Sequence, residues 1–325
     1  MPSSRTTIAT SLLCLAAISL SGCSLRYDNP PDALPQLNSG QSGISRATRA
    51  EEAISTAATS LSSDGSVSAG VQQVASYIAD TSASQLSAMG GVWNPWPEGR
   101  PDGAQSGPAP VEVPSNPKSL LQLLVDTSAQ ACRDANTSEN PTNTALLAGV
   151  CAAKEFEAWR LANAAGLEIP AAAKPLTLPQ SNPEGNPAKA KSEAGVKALS
   201  QAVAALDFSR YRTETAAAHL SPENRLWARN RAEALTQDVD YLVRRGAKDP
   251  RASQYSVDFS TLNQPQVATH LMVQAGIDAF AAHLQATQYL PVKQRALMLE
   301  SVKNDVYALR HFEVEPSQIF SQLWP

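Results

Sequence analysis

The chain has 325 residues, and its 26 basic against 30 acidic side chains leave a formal net charge of −4 at neutral pH. That balance argues against a nucleic-acid partner, whose phosphates need a basic face, and the length suits one large domain or two ordinary ones. Aromatic residues make up 6% while alanine is abundant. Alanine loses no side-chain entropy in a helix and β-branched runs of strand type are missing, so the composition predicts an all-α body.

At the N-terminus the basic residue Arg5 precedes an apolar run from Ile8 to Leu20. The run is shorter than the ~20 apolar residues of a mature spanning helix and has the length of a secretory apolar segment, with small residues after it. Leu20-Ser21-Gly22-Cys23 resembles the lipobox of bacterial lipoproteins. The resemblance implies that residues 1–22 are a signal peptide cut before Cys23, and that the Cys23 thiol carries lipid, with palmitate among its acyl chains. Two chains suffice for stable anchoring, which puts the chain in the cell envelope, on the outer face of the cytoplasmic membrane. The alternative is an ordinary signal peptide with an incidental cysteine. No later stretch reaches ~18 apolar residues, and loss of Arg5 moves the formal charge from −4 to −5.

Residues 23–41 carry Pro30, Pro31 and Pro35 and read as a flexible tether. An N-terminal helical domain is expected over 42–167. Its first helix is predicted over 45–61 from Ala47, Ala50, Ile54, Ala57 and Leu61, and Ser66 is the expected cap of a second carrying Val67, Val71, Val74 and Ile78. The two form an αα-hairpin. A Pro- and Gly-rich run to Pro117 follows, with Trp93 and Trp96 as either a recognition surface or a plug at the bundle end. A second hairpin is predicted from helices over 118–136 and 142–165. On the latter, Lys154 and Glu157 are expected at the flanks of the apolar stripe, snorkelling outward rather than forming a buried pair.

Of the four cysteines, Cys14 leaves with the signal peptide and Cys23 takes the lipid. Cys132 and Cys151 remain as an even pair in an oxidising compartment. They sit on opposite arms of the second hairpin at similar distances from its turn, as a disulfide between antiparallel helices requires. Two separate buried thiols are the alternative.

A Pro-rich linker is expected over 168–189. Residues 190–325 show four further helical stripes: Val196, Leu199, Val203 and Leu206; then Ala228, Ala232, Leu235, Val239 and Leu242; then Val273, Ile277, Phe280 and Leu284; then Val292, Ala296, Leu299, Val302, Val306, Leu309 and Phe312. Ser221-Pro222 reads as a cap followed by proline at the first helical position, and Gly246 as a C-terminal glycine. Four stripes with short turns and one medium loop specify a four-helix bundle. Ile319, Phe320, Leu323 and Trp324 close the chain as an apolar tail.

Within residues 198–325 the stretches Ala198-Leu199, Tyr211, Ala218-His219-Leu220, Arg229, Arg231, Gly246-Ala247, Tyr255, Phe259, Gln294-Arg295-Ala296-Leu297 and Phe320 resemble a ferritin-like domain of unknown function found in actinobacterial lipoproteins. The resemblance implies a ferritin-like antiparallel four-helix bundle. It departs at the metal ligands, since Glu-x-x-His, which such sites use, does not occur in the sequence. Asp207 and His219 are the candidate ligands of an altered site, against end-cap or surface roles for the four histidines, and Asp207 with Arg210, Arg212 and Glu214 reads as an ion-paired helix face.

No nucleophile elbow, Walker loop or dinucleotide fingerprint occurs. The sequence therefore predicts a non-catalytic binding or scaffolding lipoprotein without cofactor. Its partners would be the membrane through the anchor and an envelope protein, lipid or polymer. Trp93, Trp96, Phe320 and Trp324 are the candidate binding surface. One alternative is a metal-binding or oxidoreductase bundle with an altered site; another is a carrier of a lipid or small apolar molecule.

Overall fold

The structure is a computed structural model that describes residues 33–173, 190, 192–252, 255–256, 264–292, 294–312, 314 and 316–320. Cys23 and Trp324 lie outside the described residues. Chain contacts divide it into two units, Met1–Pro35 with Asn94–Ala109 and Gln36–Trp93 with Pro110–Pro325. Among the described residues there are helices and no strands, as the composition predicts. None of these helices is long and apolar enough to cross a membrane.

In the larger unit the helices are α1 (Ser39–Ser62), α2 (Ala69–Ala88), α3 (Pro117–Thr137), α4 (Pro141–Ala165), α5 (Glu193–Ala217), α6 (Pro222–Arg244), α7 (Pro265–Tyr289), α8 (Ala296–His311) and the short α9 (Pro316–Phe320). Five of them open on proline at the first turn, Pro117, Pro141, Pro222, Pro265 and Pro316, where the missing N–H has no helical partner to lose. Asn116, Asn140, Ser192 and Ser221 cap α3 to α6 by accepting a backbone N–H. Gly166, at φ +63°, closes α4 in the left-handed region.

Val292, expected on the last stripe, lies in the turn before α8, and two starts in the first half also differ from the sequence expectation. α1 begins at Ser39 because Asn38 and Gln41 form a reciprocal capping box. α2 is capped by Ser68 rather than Ser66, since Asp64 Oδ1 accepts the Ser66 N–H at 2.8 Å and holds that residue in the turn.

The helices pack in antiparallel pairs: α1 with α2, α3 with α4, α5 with α6, α7 with α8. In each half the order is hairpin, long connection, hairpin, and the first helices of the two hairpins lie side by side, α1 on α3 and α5 on α7. Small residues set the closest approaches. A Cβ on Gly43 of α1 would stand 3.0 Å from both Asp134 and Leu147, and one on Gly276 of α7 would stand 2.8 Å from Leu309 of α8.

The two sets of helices share one core. α4 lies against α7 and α8, and a single apolar cluster runs from Ala131, Cys132, Leu147 and Cys151 through Phe156 to Phe280, Leu299, Val302 and Phe320. This contact rotates α7 relative to its predicted stripe. Because α7 is covered by α5, α8 and α4, its most buried residues are Ala268, Met272, Ala275, Ala279, Phe280 and His283, while Val273 and Ile277 are only partly buried.

Candidate functional site

Two buried polar clusters stand out against these apolar interiors, one in each set of helices. In the first, Lys154 occupies the apolar stripe of α4 and is fully buried, with 0% exposure. This corrects the expectation that it snorkels. Lys154 Nζ is 2.7 Å from Glu51 Oε2 of α1, 2.8 Å from Glu157 Oε2 one turn on, and donates to Ser82 Oγ of α2 at 2.9 Å. Thr81 donates to the other Glu157 oxygen at 2.8 Å.

The cluster thus holds one ammonium against two carboxylates. Glu51 makes its close ion pair without hydrogen-bond alignment and accepts no aligned bond. Burial, opposed by Lys154 and reinforced by the Glu157 charge, raises its carboxyl to about 7. Lys154 feels a strong downward push from burial, yet the two carboxylates leave it above its ordinary value. The arrangement is an ammonium shared by two carboxyl groups, of which Glu51 takes a proton near neutrality.

In the second cluster, His283 of α7 is fully buried between Asp305 of α8 and Asp238 of α6. Its Nδ1 lies 2.6 Å from Asp305 Oδ2 and its Nε2 3.1 Å from Asp238 Oδ2. Ser301 donates to Asp238 Oδ2 at 3.0 Å, and Arg231 pairs with the second oxygen of Asp305. Burial, with Arg231 adding to it and Asp238 opposing, lowers the His283 pKa. A neutral imidazole donates once, here toward Asp305, and Nε2 is left without an aligned partner. Burial also pushes Arg231 down to about 10, which keeps it charged at neutral pH.

Both clusters are sealed and each joins three helices: α1, α2 and α4 in one, α6, α7 and α8 in the other. Buried charge placed this way is costly unless it is paired, so removing one partner from either cluster leaves an uncompensated charge. Among the described residues no group of three or more His, Cys, Asp or Glu side chains is arranged to hold a metal ion.

The sequence-nominated residues lie elsewhere. Cys132 and Cys151 form a disulfide across the α3–α4 hairpin, with their Cα atoms 5.2 Å apart. Asp207 is 2% exposed and is taken up by Arg210 Nε at 2.9 Å and by the Tyr255 hydroxyl at 2.7 Å, while Glu214 on the same face is open to solvent. His219 is exposed just past the end of α5, about 18 Å along the helix from Asp207 at 1.5 Å per residue. The two do not converge. His311 is exposed and stacks on Trp227.

Trp93 is half-buried and lines a hollow of about 270 Å³ with Ile44, Thr48, Met89 and Asn143. In the smaller unit Trp96 Nε1 donates to the Gln105 carbonyl at 2.9 Å, which pins its own loop. Phe320 is 4% exposed, with its ring edge-on to both Phe156 and Phe280 at 5.9 and 5.7 Å. It therefore belongs to the interior that joins the two sets, not to an open face.

Sequence reasoning missed the His283 cluster. The available signal was register: Asp238 sits between Leu235 and Leu242, and Asp305 between Val302 and Val306, all of them buried. A carboxylate inside a stripe has to meet a donor from another helix, but the sequence does not say from which.

Comparison of the chain with protein-family models, with curated proteins and with solved structures gave no significant match.

Proposed function

We propose that this protein is a lipid-anchored lipoprotein of the cell envelope, attached through Cys23 to the outer face of the cytoplasmic membrane, whose helical body binds or scaffolds rather than catalyses. The observation that carries the location is the Cys132–Cys151 disulfide. Structural disulfides persist in oxidising compartments and are rare in reducing ones, and Leu20-Ser21-Gly22-Cys23 supplies the anchoring signal upstream. The non-catalytic reading draws support from burial. Lys154, Glu51 and His283, the groups best tuned for proton transfer, are each 0% exposed, whereas a general acid or base must reach its substrate.

The C-terminal set, α5 to α8, is read as a ferritin-like bundle. The hairpin, long connection, hairpin order and the α5–α7 contact support that reading, and Asp238, His283 and Asp305 stand in its interior. In this chain the interior carboxylates hold an imidazole and a guanidinium.

The test is metabolic labelling of the full chain with a palmitate analogue in a bacterial host. Label is expected in the wild type and absent from Cys23→Ala, which should also leave the membrane fraction. Equal labelling of the two would refute the anchor.

A further inference from the structure

A groove of about 410 Å³ opens on the first set of helices, between α1 and α3, with Ala47, Ala50, Ala131 and Val111 among its walls. Three guanidiniums line it, Arg46 and Arg49 from α1 and Arg133 from α3, against two carboxylates, Asp126 and Asp134. Both carboxylates are engaged. Asp134 accepts from Arg46 at 3.0 and 2.6 Å and from the Gln130 amide at 2.9 Å. Asp126 accepts from the Gln122 amide at 3.1 Å and the Ala173 N–H at 2.7 Å.

Arg133 donates through Nη2 to Gln130 Oε1 at 2.6 Å. Its other terminal nitrogen, Nη1, is buried and has no hydrogen-bond partner among the described residues. Burial is the main influence lowering both Arg49 and Arg133, and the positive charge of Arg46 lowers both further; Asp134 and Asp126 oppose it only at Arg133. The three cations therefore share one field, and within it Arg133 keeps one terminal donor without a partner among the described residues. A buried donor left unpaired destabilises the fold, a cost that an incoming anion would relieve. The groove falls in the size class of small-organic-ligand sites, ~300–1,000 Å³, and is larger than a bare oxyanion requires. Its alanine and valine walls suit an apolar body.

We propose that this groove binds an organic anion, a carboxylate or phosphate group carried on an apolar body, with Arg133 Nη1 as a donor to the anion and Arg46 and Arg49 beside it. The proposal rests on the binding reading above and names its ligand class.

The full-length chain in a non-ionic detergent, followed by native mass spectrometry, tests it with three probes: dodecyl phosphate, inorganic phosphate and dodecyl maltoside. Dodecyl phosphate is expected to bind one to one, inorganic phosphate far more weakly and dodecyl maltoside not at all. Arg133→Gln should weaken dodecyl phosphate by ~10–100-fold, the worth of a charged hydrogen bond, with little change in melting temperature. Ala50→Leu, which keeps every arginine and fills the groove, should weaken dodecyl phosphate and spare inorganic phosphate. Binding of dodecyl phosphate that is absent, or equal in the wild type and both variants, overturns the proposal. Inorganic phosphate binding as tightly as dodecyl phosphate overturns the organic body. A chain that takes palmitate at Cys23 but no dodecyl phosphate sinks this inference alone.

Discussion

The guanidinium of Arg295, just before α8, donates through Nη1 to the carbonyl of Ala135 at 3.0 Å, across 160 residues of sequence. The same group reaches the Ser138 carbonyl and the Thr144 hydroxyl, while Nε takes the Leu290 carbonyl at 2.9 Å. One side chain thus satisfies carbonyls at the end of α3 and holds the second helical set onto the first. Burial lowers Arg295 to about 10, so it stays charged at neutral pH.

Arg295→Met should therefore cost about 3 kcal/mol, the scale of charged hydrogen bonds lost from buried carbonyls. Urea unfolding measures the loss. Hydrogen exchange should accelerate in both 135–144 and 290–299; acceleration confined to the second segment would show that the contact does not join the sets.

The Lys154 cluster predicts a pH dependence of known sign. The Glu51 carboxyl rises from 4.5 to about 7 on folding, so its protonation stabilises the fold fully below pH 4.5, and that contribution is lost as the pH rises through about 7. At 1.36 kcal/mol per unit it amounts to about 3 kcal/mol. Glu51→Gln should flatten stability between pH 4.5 and 7.5, as read from urea midpoints. Lys154→Met should cost ~3–5 kcal/mol, because it leaves two buried carboxylates unpaired.

His283 acts in the opposite sense. Its pKa is lowered on folding, so its contribution is present above the unfolded value of 6.5 and is lost as the pH falls through the folded value. His283→Gln should remove this acid-side loss and leave the Glu51 slope intact. Titration by NMR of the single buried imidazole provides an independent check.

Removing the disulfide by Cys132→Ala with Cys151→Ala should cost ~3 kcal/mol, the chain-entropy value for a loop of about this length. The sequence separation is 19 residues. Thermal melts with and without reductant should differ in the wild type and coincide in the double variant.

Gly276→Ala should destabilise by ~1–3 kcal/mol through overpacking, since its Cβ would meet Leu309 at 2.8 Å. Leu309→Val in the same chain should recover part of that loss. A double-mutant cycle with no coupling energy would show that α7 and α8 adjust without strain.

Helix existence was legible from local signals. Capping residues, first-turn prolines and three-and-four spacing each act within a few residues, so α3, α4 and α6 fall within a residue or two of their expected bounds. The cysteine pair was legible too, because an antiparallel hairpin fixes which residues face each other across it.

Partner choice between helices was not legible. Lys154 read locally as a snorkelling residue and His283 as an end-cap or surface histidine, Asp305 showed only its place between Val302 and Val306, Arg295 carried no local sign of burial, and the stripe of α7 read as a single face. Their burial depends on partners 22 residues away for His283–Asp305, 72 for Lys154–Ser82, 74 for Asp305–Arg231 and 160 for Arg295–Ala135, which no periodic pattern encodes. The amino-acid sequence alone determined that the chain forms helices, where they stop and which two thiols join. Only tertiary packing decided that two sets of helices share one interior and which charges meet inside it, because desolvation and pairing depend on every neighbouring element at once.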